Sequence, residues 1–201
     1  MFFGQEVHHW EKDEDLGDTM RAYERFFEEK YVVADNSGYF SQDEIAPGNH
    51  FMRWGCNGIM SGIKGILDRR PGKRASLLWN NISKLSTYDG HPVDGRVHEA
   101  ERAFFHVIPK EIQILRPDIL VFLTGPGHNM YYDYILENFT LEGEPQPIPD
   151  IPFDNLMKLP LRGVKLAYKT FHPGARMSEA EHWKNYSAIL EDMEHNIDKL
   201  L

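Results

Sequence analysis

At four places along the chain a short apolar run ends in residues able to do chemistry. Met1-Phe2-Phe3 runs into Gly4-Gln5-Glu6, with His8 and His9 close behind. Leu77-Leu78-Trp79 runs into Asn80-Asn81-Ile82-Ser83. Ile119 to Leu123 runs into Thr124-Gly125-Pro126-Gly127-His128-Asn129. Val164 to Phe171 runs into His172-Pro173-Gly174-Ala175-Arg176. A carboxylate, amides and an imidazole are the group types of a hydrolytic site. The carboxylate can orient a water or steady a developing cation, and the imidazole or an amide can donate to a departing anion.

Groups so far apart in sequence meet only if the segments between them bring the run ends together. An open parallel sheet does this, because its ligands bind outside the carboxyl ends of the strands, where strand order reverses. The intervening segments fit that design. Asp18 caps a helix running to about Lys30, with Met20, Tyr23, Phe26 and Phe27 on its buried face. Asp35 to His50 reads as a long loop, and Phe51 to Leu67 as a glycine-weakened helix. Tyr88 to Gly95 is loop, with Asp89-Gly90 and His91-Pro92 as turn signals. Arg96 to Arg116 reads as helical, with Pro109 either kinking it or opening a second helix.

Ile119 to Leu123 is apolar throughout, as a strand buried on both faces requires. A helix is expected near Asn129 to Phe139, then a proline-rich extended surface segment from Gly143 to Pro152. Val164 to Phe171 is the last strand. Ser178 and Glu181 form a capping box for a final helix, with Trp183, Tyr186, Ile189, Leu190, Met193 and Ile197 on one face. The order β-α-α-β-α-β-α-β-α predicts a three-layer α/β/α fold around a four-stranded, mainly parallel central sheet, in a single domain over residues 1–201. A central first strand starting at Met1 implies either a short strand or further residues before it.

The chain has 201 residues, 41% apolar and 26% charged, which suits one soluble domain. No apolar run is long enough to cross a bilayer, no signal peptide is visible, and a cytoplasmic protein is the default reading. One cysteine, Cys56, excludes an internal disulfide, a cysteine-rich zinc site and a cysteine-ligated iron–sulfur cluster. The net charge of −9 opposes general nucleic-acid binding. The local exception is Lys64 to Arg74, KGILDRRPGKR. There Lys64, Arg69, Arg70, Lys73 and Arg74 form either a solvated loop or a phosphate-contacting patch.

The first strand ending in Gly4-Gln5-Glu6 and the last ending in His172-Pro173-Gly174 resemble the two signature motifs of the uracil-DNA glycosylase superfamily. There the first motif runs Gly-Gln-Asp-Pro-Tyr-His, Gly-Glu-Ala-Pro-Gly or Gly-Ile-Asn-Pro-Gly in different branches, and the second begins His-Pro. Leu78-Trp79-Asn80-Asn81 stands where the superfamily has a strand ending in a base-reading Asn. The resemblance implies an enzyme that hydrolyses the N-glycosidic bond of uracil or a damaged base, flipped out of the stack into a pocket. It gives Glu6 the water-orienting place, Asn80 the base-reading place and His172 the leaving-base place. Gly4, Gln5 and Gly125 would line the same pocket, and Phe51 or Trp10 would stack on the base. Arg176 or Met177 would enter the duplex. DNA or a nucleoside or nucleotide is the implied partner, and no cofactor is implied.

The chain departs from the pattern in places. Glu6 replaces the Asp of the best-known branch, and Val7 replaces a proline. The acidic residues Glu11, Asp13, Glu14, Asp15 and Asp18 are unfavourable beside DNA. The missing cysteines exclude the iron–sulfur branches. Plainer roles also suit the residues: Glu6 as a helix cap, Asn80 and Asn81 as turn residues, His172 as a structural histidine, and His8 and His9 as surface residues. Two further readings stand beside the glycosylase. One is a non-catalytic nucleotide- or modified-base-binding module on the same fold. The other is a metal hydrolase using Glu6, His8, His9 and His172.

Overall fold

The computed structural model describes residues 1–6, 58–70, 75–85 and 95–200. Six strands form one mixed sheet: β1 (Phe2–Glu6), β2 (Trp79–Ser83), β3 (Ile119–Leu123), β4 (Gln146–Pro147), β5 (Leu156–Lys158) and β6 (Leu166–Thr170). Their order is β2-β1-β3-β6-β5-β4. β2, β1, β3 and β6 run parallel, whereas β5 and β4 add on antiparallel beyond β6. The expected four-stranded sheet is therefore a six-stranded one. The two extra strands come from the proline-rich stretch and the residues after it. They are two and three residues long, too short to leave an alternating pattern in the sequence.

Five helices accompany the sheet among the described residues: α1 (Ser61–Asp68), α2 (Gly95–Phe104), α3 (Ile108–Leu115), α4 (Met130–Asn138) and α5 (Glu179–His195). No helix among these residues is long and apolar enough to cross a membrane. Alternation along the strands splits the core in two. Phe2, Val121, Leu123, Leu166 and Tyr168 pack with α1 and α5 on one face. Phe3, Ile82, Leu120, Phe122 and Ala167 pack with α3 and α4 on the other.

Local chemistry explains the helix starts. Ser178 and Glu181 form the expected capping box, Ser178 Oγ accepting the Glu181 N–H at 3.3 Å and Glu181 Oε2 accepting the Ser178 N–H at 2.9 Å. Asn129 caps α4 by accepting the Tyr132 N–H at 3.1 Å. The stretch from Arg96 to Arg116 is two helices rather than one, and Pro109 stands in the first turn of the second. Arg116, left-handed at φ 46°, ends that helix before Pro117.

Three boundaries differ from the sequence expectation. β2 begins at Trp79 and runs through Asn80 to Ser83, so Asn80 lies inside the strand instead of after it. Gly143 to Pro152 is not wholly surface, since Ile148 and Ile151 are buried. The last strand is trimmed to Leu166–Thr170. The expected helix from Asp18 to Lys30 and the loops at 35–50 and 88–94 lie outside the described residues.

Candidate functional site

From β1 the chain goes to β2 on one side and to β3 on the other, so strand order reverses between β1 and β3. That is the position where a parallel sheet opens a crevice at its carboxyl edge. Three strand ends meet there. Gln5 Nε2 donates to the Thr124 carbonyl at 3.3 Å, and the Gly125 N–H donates to the Thr170 carbonyl at 3.0 Å. Asn129 Nδ2 also donates to the Thr124 carbonyl, at 2.9 Å. Gly125 sits at φ +96°, and a Cβ there would lie 2.8 Å from Asn129 Nδ2. Only glycine suits both the dihedral and the close approach.

The rim is built of amides, hydroxyls and an imidazole. Thr124 is fully buried, and its hydroxyl has no hydrogen-bond partner among the described residues. Thr170 Oγ1 donates to the Asn155 carbonyl at 2.8 Å. His172 stands two residues beyond Thr170, half-buried, and its Nδ1 accepts the Gly174 N–H at 3.0 Å. A ring nitrogen that accepts carries no proton, so the neutral ring holds its hydrogen on Nε2. Behind the rim, Lys169 Nζ donates to the carbonyls of Gly125 at 2.6 Å and Gly127 at 2.7 Å. Burial lowers its pKa to about 8, against the opposing pull of Asp154.

The sheet thus brings Gly4, Gln5, Gly125 and His172 to one edge. The backbone of Glu6 reaches the same edge, paired with Ser83, and its side chain lies outside the described residues. Asn80 is placed elsewhere. Its Nδ2 donates to Glu111 Oε2 at 2.8 Å, and its Oδ1 accepts from Lys84 Nζ. Lys84 in turn pairs with Glu111 at 2.8 Å, so Asn80 belongs to a polar cluster against α3. The amide beside the site is that of Asn81, which pairs with Gly4 across the strands and is buried. Arg176 is exposed and Met177 half-buried in the turn between His172 and α5.

The basic segment lies away from this rim. α1 ends at Asp68, and the chain re-enters the sheet at the start of β2, so Arg69 and Arg70 stand towards the amino edge. Lys64 pairs with Asp68, and Arg69 pairs with Glu194 at 2.6 Å. A cleft of about 290 Å³ at that edge is lined by Leu67, Leu77, Arg116 and Asp118, and shares no residue with the rim. Phe51, Trp10, His8, His9, Lys73 and Arg74 lie outside the described residues. Among the described residues no group of three or more His, Cys, Asp or Glu could hold a metal ion.

Sequence reasoning singled out Asn80 rather than its neighbour Asn81, and passed over Lys169 and the orphan hydroxyl of Thr124. The one visible signal was a lysine inside an otherwise apolar strand, LAYKTF.

Gly4 gives a direct test of the packing beside the rim. A Cβ at this position would lie 2.6 Å from Asn81 Oδ1 and 2.6 Å from Trp79 Cζ2. Gly4→Val is expected to destabilise the protein by about 1–3 kcal/mol, the usual cost of overpacking. Thermal unfolding would register this as a fall of roughly 2–12 °C for a chain of this size. An unchanged midpoint would show that Trp79 and Asn81 do not pack against Gly4.

No protein-family model matches the chain, and no curated protein matches it.

Proposed function

We propose that the chain is a hydrolase of N-glycosidic bonds that acts on uracil or a damaged base, in DNA or in a nucleoside, and is built like the uracil-DNA glycosylases. The observation that carries this reading is the strand order β2-β1-β3-β6, which sets the ends of β1, β3 and β6 side by side. Gln5, the Thr124–Asn129 loop and His172 then share one edge. Amide and hydroxyl groups suit the donor and acceptor pattern of a nucleobase edge. A neutral imidazole with its hydrogen on Nε2 suits a base oxygen that gains charge as the bond breaks. Glu6, at the end of β1, takes the water-orienting role. Asn81, beside Gly4, takes the base-reading role first given to Asn80.

One observation favours the binding module as a second reading. Asn80 is engaged by Glu111 and Lys84 away from the rim, so the chain keeps the fold's edge without the expected strand-end amide at that position. The location of Arg69 and Arg70 at the opposite edge also favours a small ligand over a long DNA contact.

Base release from uracil-containing single-stranded DNA, duplex DNA and uridine separates the readings. Release from any of these supports the hydrolase. Binding of uracil or its nucleotide without release supports the module. Neither binding nor release would sink both.

A further inference from the structure

We propose that Lys169 is a positioning residue of the rim. From inside the sheet its ammonium holds the Gly125 and Gly127 carbonyls inward, and so fixes how the Thr124–Asn129 loop presents its peptide groups to a bound nucleobase. The ligand named here rests on the proposed nucleobase site, whereas the clamp does not.

The geometry is specific. Lys169 is 1% exposed in β6, between Phe122 of β3 and Met157 of β5. Its two charge-assisted bonds, 2.6 and 2.7 Å long, reach carbonyls more than 40 residues away in the chain. Gly125 at φ +96° and Gly127 at φ +53° let both carbonyls turn to the same side. The Gly127–His128 peptide is trans, so the His128 N–H points away from the ammonium. The Gly127 N–H is itself tied to the Asp154 carbonyl at 2.6 Å.

A buried cation is a costly choice for a strand. A methionine of similar length would fill the space with no desolvation penalty. The lysine therefore serves the loop more than the core. The groups facing it confirm how little else it has to pair with among the described residues. Asp154 approaches from the segment before β5, and the Tyr132 ring of α4 has its centroid 6.0 Å from Nζ. Its strand neighbours, Phe122 and Met157, carry no charge.

The clamp has an unusual pH signature. Burial lowers the ammonium's pKa from 10.5 to about 8 in the folded chain. Between those values the unfolded chain holds more protons than the folded one, so this group's contribution to stability rises with pH. Over the same window the ammonium becomes a neutral amine, a weaker donor, and the loop loosens. Global stability and local loop order then move in opposite directions, which a lysine with only a packing role would not produce.

The experiment is amide hydrogen exchange, corrected for intrinsic rates, on the wild type and Lys169→Met from about pH 6 to about pH 9.5. Binding of uracil and of uridine is measured alongside. In a folded variant, exchange at Gly125 and Gly127, whose N–H groups bond to the Thr170 and Asp154 carbonyls, is expected to quicken by about 10-fold or more, with Ile135 inside α4 unchanged. Affinity for the probes is expected to weaken by about 10-fold or more. In the wild type the same two amides lose protection as pH passes about 8, and the variant lacks this step. Loop exchange equal to wild type in a folded variant would overturn the proposal. So would acceleration spread evenly through β3, β6 and α4, or a loosened loop with unchanged probe affinity. If the variant does not fold, the wild-type pH series decides, and loop amides that follow Ile135 through pH 8 overturn the clamp. If the wild type binds neither uracil nor uridine, the nucleobase reading fails while the exchange data still judge the clamp.

Discussion

Replacing His172 with Ala is expected to lower the rate of base release by at least ~100-fold, the scale set by removing a positioned acid–base or oxyanion group. The geometry says why this residue and why so much. His172 follows β6 by two residues, and β6 is locked to the rim loop through the Gly125 N–H and the Thr170 carbonyl. The Gly174 N–H holds Nδ1 as an acceptor, which directs the ring's hydrogen to Nε2. The neutral ring thus carries its hydrogen on Nε2, which suits the proposed role at a departing base oxygen. Its removal is expected to leave the strand pairing intact, because the ring is half-buried and stands beyond the end of β6. Single-turnover cleavage on uracil-containing single-stranded DNA measures the effect, with circular dichroism to check folding. Glu6→Gln is expected to show a loss of the same order. Cleavage at the wild-type rate in both variants would take the catalytic assignment away from these residues.

The parts of this site that the sequence revealed are those encoded locally. Ile119 to Leu123 reads as a buried strand because all five residues are apolar, and all five are buried. The helix start near Asn129 and the Ser178–Glu181 box are each decided by residues a few positions apart. What stayed hidden depends on partners far along the chain. β2, an edge strand, buries the polar side chains of Asn81 and Ser83, which no periodicity suggests. Ser83 is buried there because Glu101 of α2 accepts its hydroxyl at 2.7 Å and the Lys84 N–H at 2.8 Å. Asn80 is inside the strand because Glu111 and Lys84 satisfy its amide. Lys169 shows in the sequence only as a lysine within a mostly apolar run, and its partners, the carbonyls of Gly125 and Gly127, lie more than 40 residues away. In each case a wholly or partly buried polar group became tolerable only through a long-range hydrogen bond, and sequence alone gives no view of such bonds.

Phe122 offers the largest expected effect on stability. It is fully buried in β3, stacked on Phe3 of β1 at 5.2 Å and edge-on to Phe139 at 5.3 Å. Those two contacts join the neighbouring strands β1 and β3 to the residue that ends α4. Phe122→Ala is expected to cost about 3–5 kcal/mol, combining lost transfer energy with the cavity left between strand and helix. The unfolding midpoint should fall by roughly 6–20 °C. Phe104, 89% exposed at the end of α2, is the internal control. The same substitution there should stay within about 0.5 kcal/mol, because it removes a ring that water already surrounds. The contrast also bears on the rim. Phe122 lies two residues before Thr124 and opposite Lys169 in the register, so loosening β3 should free the loop that both residues hold. Phe122→Ala should therefore speed exchange at Gly127 together with that of β3, whereas Lys169→Met should speed it at the loop alone. Equal midpoints for the Phe122 and Phe104 variants would mean that the packing between β1, β3 and α4 is not what holds this edge of the sheet in place.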